Sequence, residues 1–239
     1  MNSEYQINTK PSIENLNEIK FWLSEEYEKT EQGFYCNWNV IEKGFENNEL
    51  IIFHNEISII GFVIWTSCEI YALIDILEIN PNFRKRGFGK LFYEKIAEYY
   101  KSKDLLAIKL FCSPIESEQF WKKMGFIKFP NRGYSESDLT YFKPLIEINF
   151  PLENGSFDNK LELWDLEPYQ VENQKPKWTW KIEKENSEFS KPIIHPSNSN
   201  WNLRWTKNNE IIKEDKIKYF AKKNNPIDFS PFLYIKDLN

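Results

Sequence analysis

The sequence predicts an α+β protein in which strands and helices alternate up to about residue 145 and a β-rich unit of about 90 residues follows. Three observations carry that reading. Short β-branched runs alternate with amphipathic stretches through the first part. The texture changes after Pro144: seven of the twelve prolines and five of the nine tryptophans lie in 146–239, with a single glycine, Gly155. The chain, at 239 residues, is also longer than the roughly 100–200 residues usual for one domain. Two domains are therefore expected, 1–145 and 146–239.

The elements follow in order. Residues 5–9 read as a first strand. Pro11-Ser12 opens a helix over 13–27, whose apolar positions are Ile13, Leu16, Ile19, Phe21, Trp22 and Leu23. A second helix is expected over 37–45. Residues 50–53 and 57–66 are β-branched and apolar, and His54-Asn55-Glu56 between them reads as a hairpin turn. Tyr71–Ile79 is the next strand, and 89–101 is an amphipathic helix with Leu91, Phe92, Ile96 and Tyr99 on one face. A buried strand follows over 105–111. Ser113-Pro114-Ile115-Glu116 reads as a helix start, with Ser as the cap, Pro in the first turn and Glu completing a capping box. Met124-Gly125 ends that helix, because Gly supplies a left-handed cap. Residues 126–129 and 139–142 read as closing strands. In the second part, 161–164, 178–182 and 201–205 are strand-like and 214–223 is helical.

Composition excludes several classes. Hydrophobic residues make up 41% and charged residues 28%, which is ordinary for a globular chain and not for a disordered one. The net charge is −5, so the basic footprint of a nucleic-acid binder is missing from the chain as a whole. No apolar run reaches about 18 residues, so no transmembrane helix is expected, and the polar N-terminus lacks a signal core. Cys36, Cys68 and Cys112 are an odd number without metal-type spacing; they read as reduced thiols of a cytoplasmic protein. His54 and His195 are too far apart to suggest a metal site. Aromatics reach 17%. In the second part, Trp164, Trp178, Trp180, Trp201 and Trp205 read as packing for a small β unit. The alternatives are a ligand groove, a lid, or the interface of a homodimer.

The most informative segment is Leu77-Glu78-Ile79-Asn80-Pro81-Asn82-Phe83-Arg84-Lys85-Arg86-Gly87-Phe88-Gly89-Lys90. A strand ends, a basic turn with two glycines follows, and a helix begins. The first turn of a helix carries unpaired backbone N–H groups and the positive end of the dipole. Gly87 and Gly89 let a phosphate approach, and Arg84, Lys85, Arg86 and Lys90 put four cations into seven residues of an acidic chain. The turn reads as a pyrophosphate cradle, or as a tight turn with a solvated basic cluster. No third glycine and no Gly-Lys-Ser/Thr is present, so it is neither a dinucleotide fingerprint nor a P-loop.

Arg84-x-x-Gly87-x-Gly89 after Leu77-x-Ile79-x-Pro81 resembles the acetyl-CoA signature of the GNAT superfamily of N-acetyltransferases. Phe120-Trp121-Lys122-Lys123-Met124-Gly125-Phe126 resembles that family's second element, usually Phe-Tyr-x-x-x-Gly-Phe. The resemblance covers about 3–145 and implies a mixed central sheet flanked by helices. It implies acetyl-CoA as co-substrate, with no metal, and an amine-bearing acceptor. The backbone from Leu77 to Ile79 would bond the pantetheine arm between splayed parallel strands. Backbone N–H groups of Arg84, Lys85, Arg86, Gly87, Phe88, Gly89 and Lys90 would hold the pyrophosphate. Ser117, Phe120 and Lys123 would lie along the far side of the cofactor, and Trp121 would pack against pantetheine or core.

Transfer to an amine needs a proton acceptor, and a carboxylate can serve. Asp75 is the first candidate and Glu78 the second. Strict alternation puts Tyr71, Leu73, Asp75, Leu77 and Ile79 on one face and Glu78 on the other, unless a bulge changes the phase. Asp75 can equally pair with a cation or orient the amine. Trp121 stands where the family has its tyrosine acid, so protonation falls to water, to Tyr134, or to no particular group. A binding or regulatory protein that keeps CoA affinity without transfer is the alternative to an enzyme.

Overall fold

A computed structural model describes residues 4–134, 138–152, 157–185, 188–220, 227–228 and 231–237. It divides into two compact units: Met1–Ile127 with Leu139–Leu145, and Lys128–Asp138 with Ile146–Asn239. The sequence draws one boundary, after 145. In the structure Lys128–Asp138 also belongs to the second unit, where Arg132 Nη1 donates to Ser197 O (2.7 Å) and Pro231 O (2.8 Å).

The first unit is a mixed seven-stranded sheet with helices on both faces. Its elements are β1 (Gln6–Asn8), α1 (Ile13–Thr30), α2 (Trp38–Glu46), β2 (Leu50–His54), β3 (Ile59–Ser67), β4 (Tyr71–Ile79), α3 (Phe88–Lys101), β5 (Ala107–Phe111), α4 (Glu118–Lys123), β6 (Ile127–Lys128) and β7 (Thr140–Pro144). The sheet order is β1-β2-β3-β4-β5-β7-β6. β4 and β5 run parallel, and the other pairs given in register are antiparallel.

Local chemistry sets the helix ends. Ser12 caps α1 by accepting from Asn15 N–H, and the Asn15 side chain accepts from Ser12 N–H (3.0 Å). Leu16, Ile19, Trp22 and Leu23 form the buried stripe of α1, and Glu26 continues it. With Ile41, Leu50, Ile52, Phe62, Ile64 and Ile76 they make one core layer. The other layer gathers Phe53, Val63, Ile74, Ile79, Phe92, Ile96, Tyr100, Ile108 and Leu110 around α3. Each such side chain contributes about 1.5–3 kcal/mol by leaving water. Gly125, at φ +83, follows α4 as its left-handed stop.

One start signal behaves differently. Ser113 does not cap a helix. Pro114 is extended, a 3-10 turn over Ile115–Ser117 comes first, and α4 begins only at Glu118. Proline accepts the turn's first bond, Ser117 N–H to Pro114 O (3.0 Å), so the chain tightens before it becomes α-helical. The strand expected over 126–129 shrinks to β6.

Alternation along β4 breaks at one point. Ile76 pairs with Ile64 and Ile74 pairs with Trp65, leaving Asp75 as the extra residue of a bulge. Ala72 and Ile74 face the α3 layer before it, and Leu77 and Ile79 do so after it, whereas Ile76 joins the α1 layer. The bulge therefore moves Leu77 and Ile79 across the sheet and puts Glu78 on the α1 side. β3 lies close against this stretch: a Cβ on Gly61 would stand 2.5 Å from Glu78 O.

The second unit has β8 (Lys160–Leu163), β9 (Trp178–Lys181), β10 (Lys184–Glu185), β11 (Glu188–Phe189), β12 (Ile193–Pro196), β13 (Asn202–Lys207), β14 (Glu210–Lys216), α5 (Ile217–Phe220), β15 (Ile227–Asp228) and β16 (Phe232–Ile235). Two sheets, ordered β14-β13-β8-β9 and β12-β16-β15, accompany a β10–β11 hairpin. Trp180, Trp201 and Trp205 are buried with Leu161, Leu163, Leu203, Leu233 and Ile235, and Trp178 packs on them. Trp178 and Trp180 share a face, opposite Leu163 and Leu161. Of the helix expected over 214–223, 214–216 end β14, Ile217–Phe220 form α5, and 221–223 lie outside the described residues. Asn208 and Asn209, at φ +50 and +63, turn the chain back so that β14 pairs with β13, and only α5 is helical. Among the described residues no helix is long and apolar enough to cross a membrane.

Two stability outcomes follow. Gly61→Ala must displace β4 and should destabilise the first unit by roughly 1–3 kcal/mol, lowering its Tm in a thermal melt. In the second unit His195 lies under Trp178 (4.6 Å between centroids) and beside Trp180 (5.3 Å), and burial with the Lys177 charge pushes its pKa down to about 3. The unfolded chain then binds the extra proton below about pH 6.5, so stability falls as pH drops towards 3, with a limiting slope of about 1.4 kcal/mol per pH unit. Denaturant melts between pH 7 and 5 should show this loss, and His195→Gln should flatten it.

Candidate active site

The parallel pairing of β4 and β5 runs from Tyr71↔Ala107 to Ile74↔Leu110 and then stops. β4 continues to Ile79 while β5 ends at Phe111. The strands part at the Asp75 bulge, and the opening is a cleft of about 780 Å³. Ile74, Asp75, Leu77 and Glu78 form one wall; Leu110, Phe111, Ser113, Pro114, Glu116, Ser117 and Trp121 form the other. Glu26, Gln32, Gly33, Phe34 and Arg84 close its α1 end.

Beyond β4 the chain makes a 3-10 turn at Pro81–Phe83, with Lys85 at φ +60 and Gly87 at φ +86, and enters α3 at Phe88. The first α-helical bond runs from Leu91 N–H to Gly87 O (3.2 Å). The first-turn N–H groups before it have no partner within the helix. A Cβ on Gly87 would meet nothing within 4 Å, so the space in front of it is open. Phe88 holds the helix start in place through Tyr5 (5.2 Å) and Phe83 (5.8 Å). Gly89 sits against Phe120, whose ring a Cβ would meet at 3.4 Å.

Four carboxylates, those of Glu26, Asp75, Glu78 and Glu116, and the Arg84 guanidinium line the cleft. Asp75 is exposed, and Thr66 Oγ1 donates to its Oδ2 at 3.5 Å. Partial desolvation raises its pKa, the Glu49 charge adds to this, and the Thr66 hydroxyl opposes both. Arg84 bonds Glu26 through both terminal nitrogens (2.5 and 2.9 Å), Glu78 through Nη2 (3.0 Å) and Ile79 O through Nε (2.8 Å). Burial raises the Glu78 pKa more than Arg84 and the Ile79 N–H lower it.

The expected site residues divide accordingly. Asp75, Leu77, Glu78, Arg84, Ser117 and Trp121 meet in the cleft. Two of the expected residues already have partners within the chain. The Arg84 side chain is held by carboxylates and its own N–H donates to Pro81 O (3.3 Å). Ile79 is bonded on both sides, its N–H to Glu78 Oε1 (2.8 Å) and its carbonyl to Arg84, which leaves Leu77 as the edge residue lining the cleft. Lys85 and Arg86 are exposed on the loop, and Lys90, exposed in the first turn of α3, lies 3.7 Å from Glu94. Phe120 lines the helix contact with Gly89, and Lys123 is exposed and is not part of the cleft wall. Trp121 is buried among Tyr93, Phe120 and Phe126. Tyr134 belongs to the second unit, with Arg132 over its ring at 5.1 Å.

Sequence reading missed Glu26, Gln32, Gly33 and Phe34. Glu26 had a signal: it occupies the next position of the stripe Leu16, Ile19, Leu23, where an apolar residue is expected. Two further groups stay protonated. Burial pushes the Cys112 thiol up to about 11, and burial with its hydrogen bond to Glu118 pushes Tyr141 up to about 12.

A strand pair that parts in front of a glycine-started helix defines an acyl-CoA-binding fold. The Acetyltransferase (GNAT) family model matches residues 7–126, half of the chain, and the chain belongs to that family. Solved structures similar to it include Ard1 from Thermoplasma volcanium, at 17% identity and a TM-score of 0.44, covering 60% of this chain and 99% of that one. Another is the PaiA N-acetyltransferase from Thermoplasma acidophilum in complex with coenzyme A, at 18% identity and a TM-score of 0.43, covering 58% and 96%. A third is N-acetylglutamate synthase from Neisseria gonorrhoeae complexed with coenzyme A and N-acetyl-glutamate, at 11% identity and a TM-score of 0.47, covering 62% and 36%. No curated protein matches the chain.

The residues fit coenzyme A: an open strand edge at Leu77 and an uncrowded helix start at Gly87 are the features such a ligand requires. Gly87→Ala should therefore lose about 1 kcal/mol of stability from its left-handed backbone. It should also weaken coenzyme A binding by about tenfold in calorimetry, because the new methyl stands in the open space before the helix.

Proposed function

We propose that this protein is an acetyl-CoA-dependent N-acetyltransferase acting on an amine, with Asp75 as the group that receives the amine's proton. The observation that carries this is the position of Asp75. It is the bulged residue at which β4 and β5 part, and it lines the cleft. Acetyl-CoA supplies a thioester acyl carbon, whose transfer forms a C–N bond and breaks a C–S bond.

The chain's own residues supply the rest. Leu77 offers its strand edge to the pantetheine amides, and the N–H groups of Gly87, Phe88, Gly89 and Lys90 face the phosphates. Lys85 and Arg86 on the loop and Lys90 in the first turn of α3 add charge. Ser117 and Trp121 line the opposite wall. Asp75 is raised above the ordinary carboxylate value of 3.8, which brings its basicity nearer to that of a useful proton acceptor. The acidic walls suit an acceptor that arrives as an ammonium ion. A CoA-binding protein without transfer is the second reading. It is favoured by Trp121, whose buried indole N–H does not titrate where the family has a tyrosine.

Thiol release from acetyl-CoA over a panel of amines separates the two. Turnover should appear with at least one amine, and Asp75→Asn should lower kcat by about 10²–10⁴-fold with coenzyme A affinity unchanged. Asp75 must be ionised to act, so kcat/KM should fall as pH drops through its raised pKa, and the variant should lose that limb. Coenzyme A binding with no turnover, or turnover indifferent to Asp75→Asn, would overturn the assignment.

A further inference from the structure

Arg84 opens the glycine-containing signature, yet the structure uses it elsewhere. We propose that Arg84 is a positioning residue, bracing Glu26 of α1 against Glu78 of β4 on the acceptor side of the cleft, and not a ligand of the cofactor phosphates. The term acceptor side rests on the N-acetyltransferase reading; the brace itself rests on geometry alone.

Four of the five guanidinium N–H groups are engaged. Nη1 and Nη2 fork onto the two Glu26 oxygens, Nη2 also reaches Glu78 Oε1, and Nε reaches Ile79 O. This bidentate geometry is the strong form of the arginine–carboxylate pair. The partners are 58 and 6 residues away in sequence, so the brace ties α1 to the junction of β4 and the loop. Gly33 leaves it room: a Cβ there would stand 3.0 Å from Glu26 Oε2. To reach a phosphate, Arg84 would have to leave two carboxylates without a cation inside the cleft, which is costly. Lys85 and Arg86 stand exposed on the same loop and carry no such constraint.

Bracing also sets a charge. The groups facing Glu78 are Arg84 from the loop, Glu26 from α1 and the Ile79 N–H of its own strand. Burial and Glu26 push its proton affinity up; Arg84 is the strongest group opposing them. Conversely, Glu26 and Glu78 outweigh the desolvation of Arg84. Glu78 is thereby occupied as a structural carboxylate, which leaves Asp75 as the β4 carboxylate outside the brace.

The test compares the wild type with Arg84→Gln and Arg84→Lys, the latter keeping the charge without the fork in case the former does not fold. Coenzyme A affinity is measured by calorimetry, and the Glu78 carboxyl is titrated by carbon NMR. Loss of the brace should leave coenzyme A affinity within about threefold, because the phosphates are held by backbone N–H groups. The Glu78 midpoint should rise by about one pH unit in Arg84→Gln and less in Arg84→Lys. Where turnover is measurable, KM for the amine should rise more than KM for acetyl-CoA. A tenfold or greater loss of coenzyme A affinity, or a Glu78 midpoint that does not move, overturns the proposal. Failure of the wild type to bind coenzyme A would remove the functional reading, and the Glu78 titration would still decide the brace.

Discussion

The single extra residue at Asp75 is the constraint from which the site follows. A regular β4 would keep Leu77 and Ile79 on the α1 side and Glu78 on the α3 side. The bulge reverses this, so the apolar pair joins the α3 layer and Glu78 turns towards Glu26. It also coincides with the end of the parallel pairing at Ile74↔Leu110. Bulging twists a strand more strongly, and a strand that twists away from its neighbour leaves backbone groups open to a ligand. The cleft, the exposed carboxylate and the brace are three results of one irregularity.

The second constraint is electrostatic. Glu26, Asp75, Glu78 and Glu116 share a cleft with one guanidinium. Arg84 neutralises part of that charge while fixing two elements that are far apart in sequence. Such a pair is weak evidence for stability, since its desolvation opposes its attraction. Its value lies in direction: it holds the end of β4 and the start of the loop before α3 in one arrangement. Preorganisation of this kind is what a transfer reaction draws on.

The aromatic excess belongs mainly to packing. In the second unit Trp164, Trp180, Trp201 and Trp205 are buried, and Trp178 stacks on Trp201 at 5.4 Å. Large indoles allow a small two-sheet unit to bury enough area. In the first unit Trp65, Trp121, Phe53 and Phe92 do the same around α3. Trp121 is likewise a buried wall of the cleft, and its indole N–H does not titrate.

Periodicity determined most of the elements directly. Tyr71–Ile79 is a strand at the expected residues, Pro11-Ser12 opens α1, and Gly125 ends α4. The loop around Gly87 was legible for the same reason, because glycine and the helix start are local features. Where local signals competed, one boundary moved: the helix expected from Glu214 begins only at Ile217, because Glu214, Asp215 and Lys216 pair with β13. The partners of Arg84 were not legible. A run of four cations suggests an anion site, and nothing local says that one of them will meet a glutamate 58 residues away. The sequence by itself determined the alternation of elements, the glycine-containing turn that opens α3 and Asp75 as a candidate carboxylate. Tertiary structure decided which cations stay exposed on the loop and which one is held by carboxylates in the cleft. It did so because the bulge and the packing of α1 lie in long-range pairing, which hydrophobic period alone does not encode.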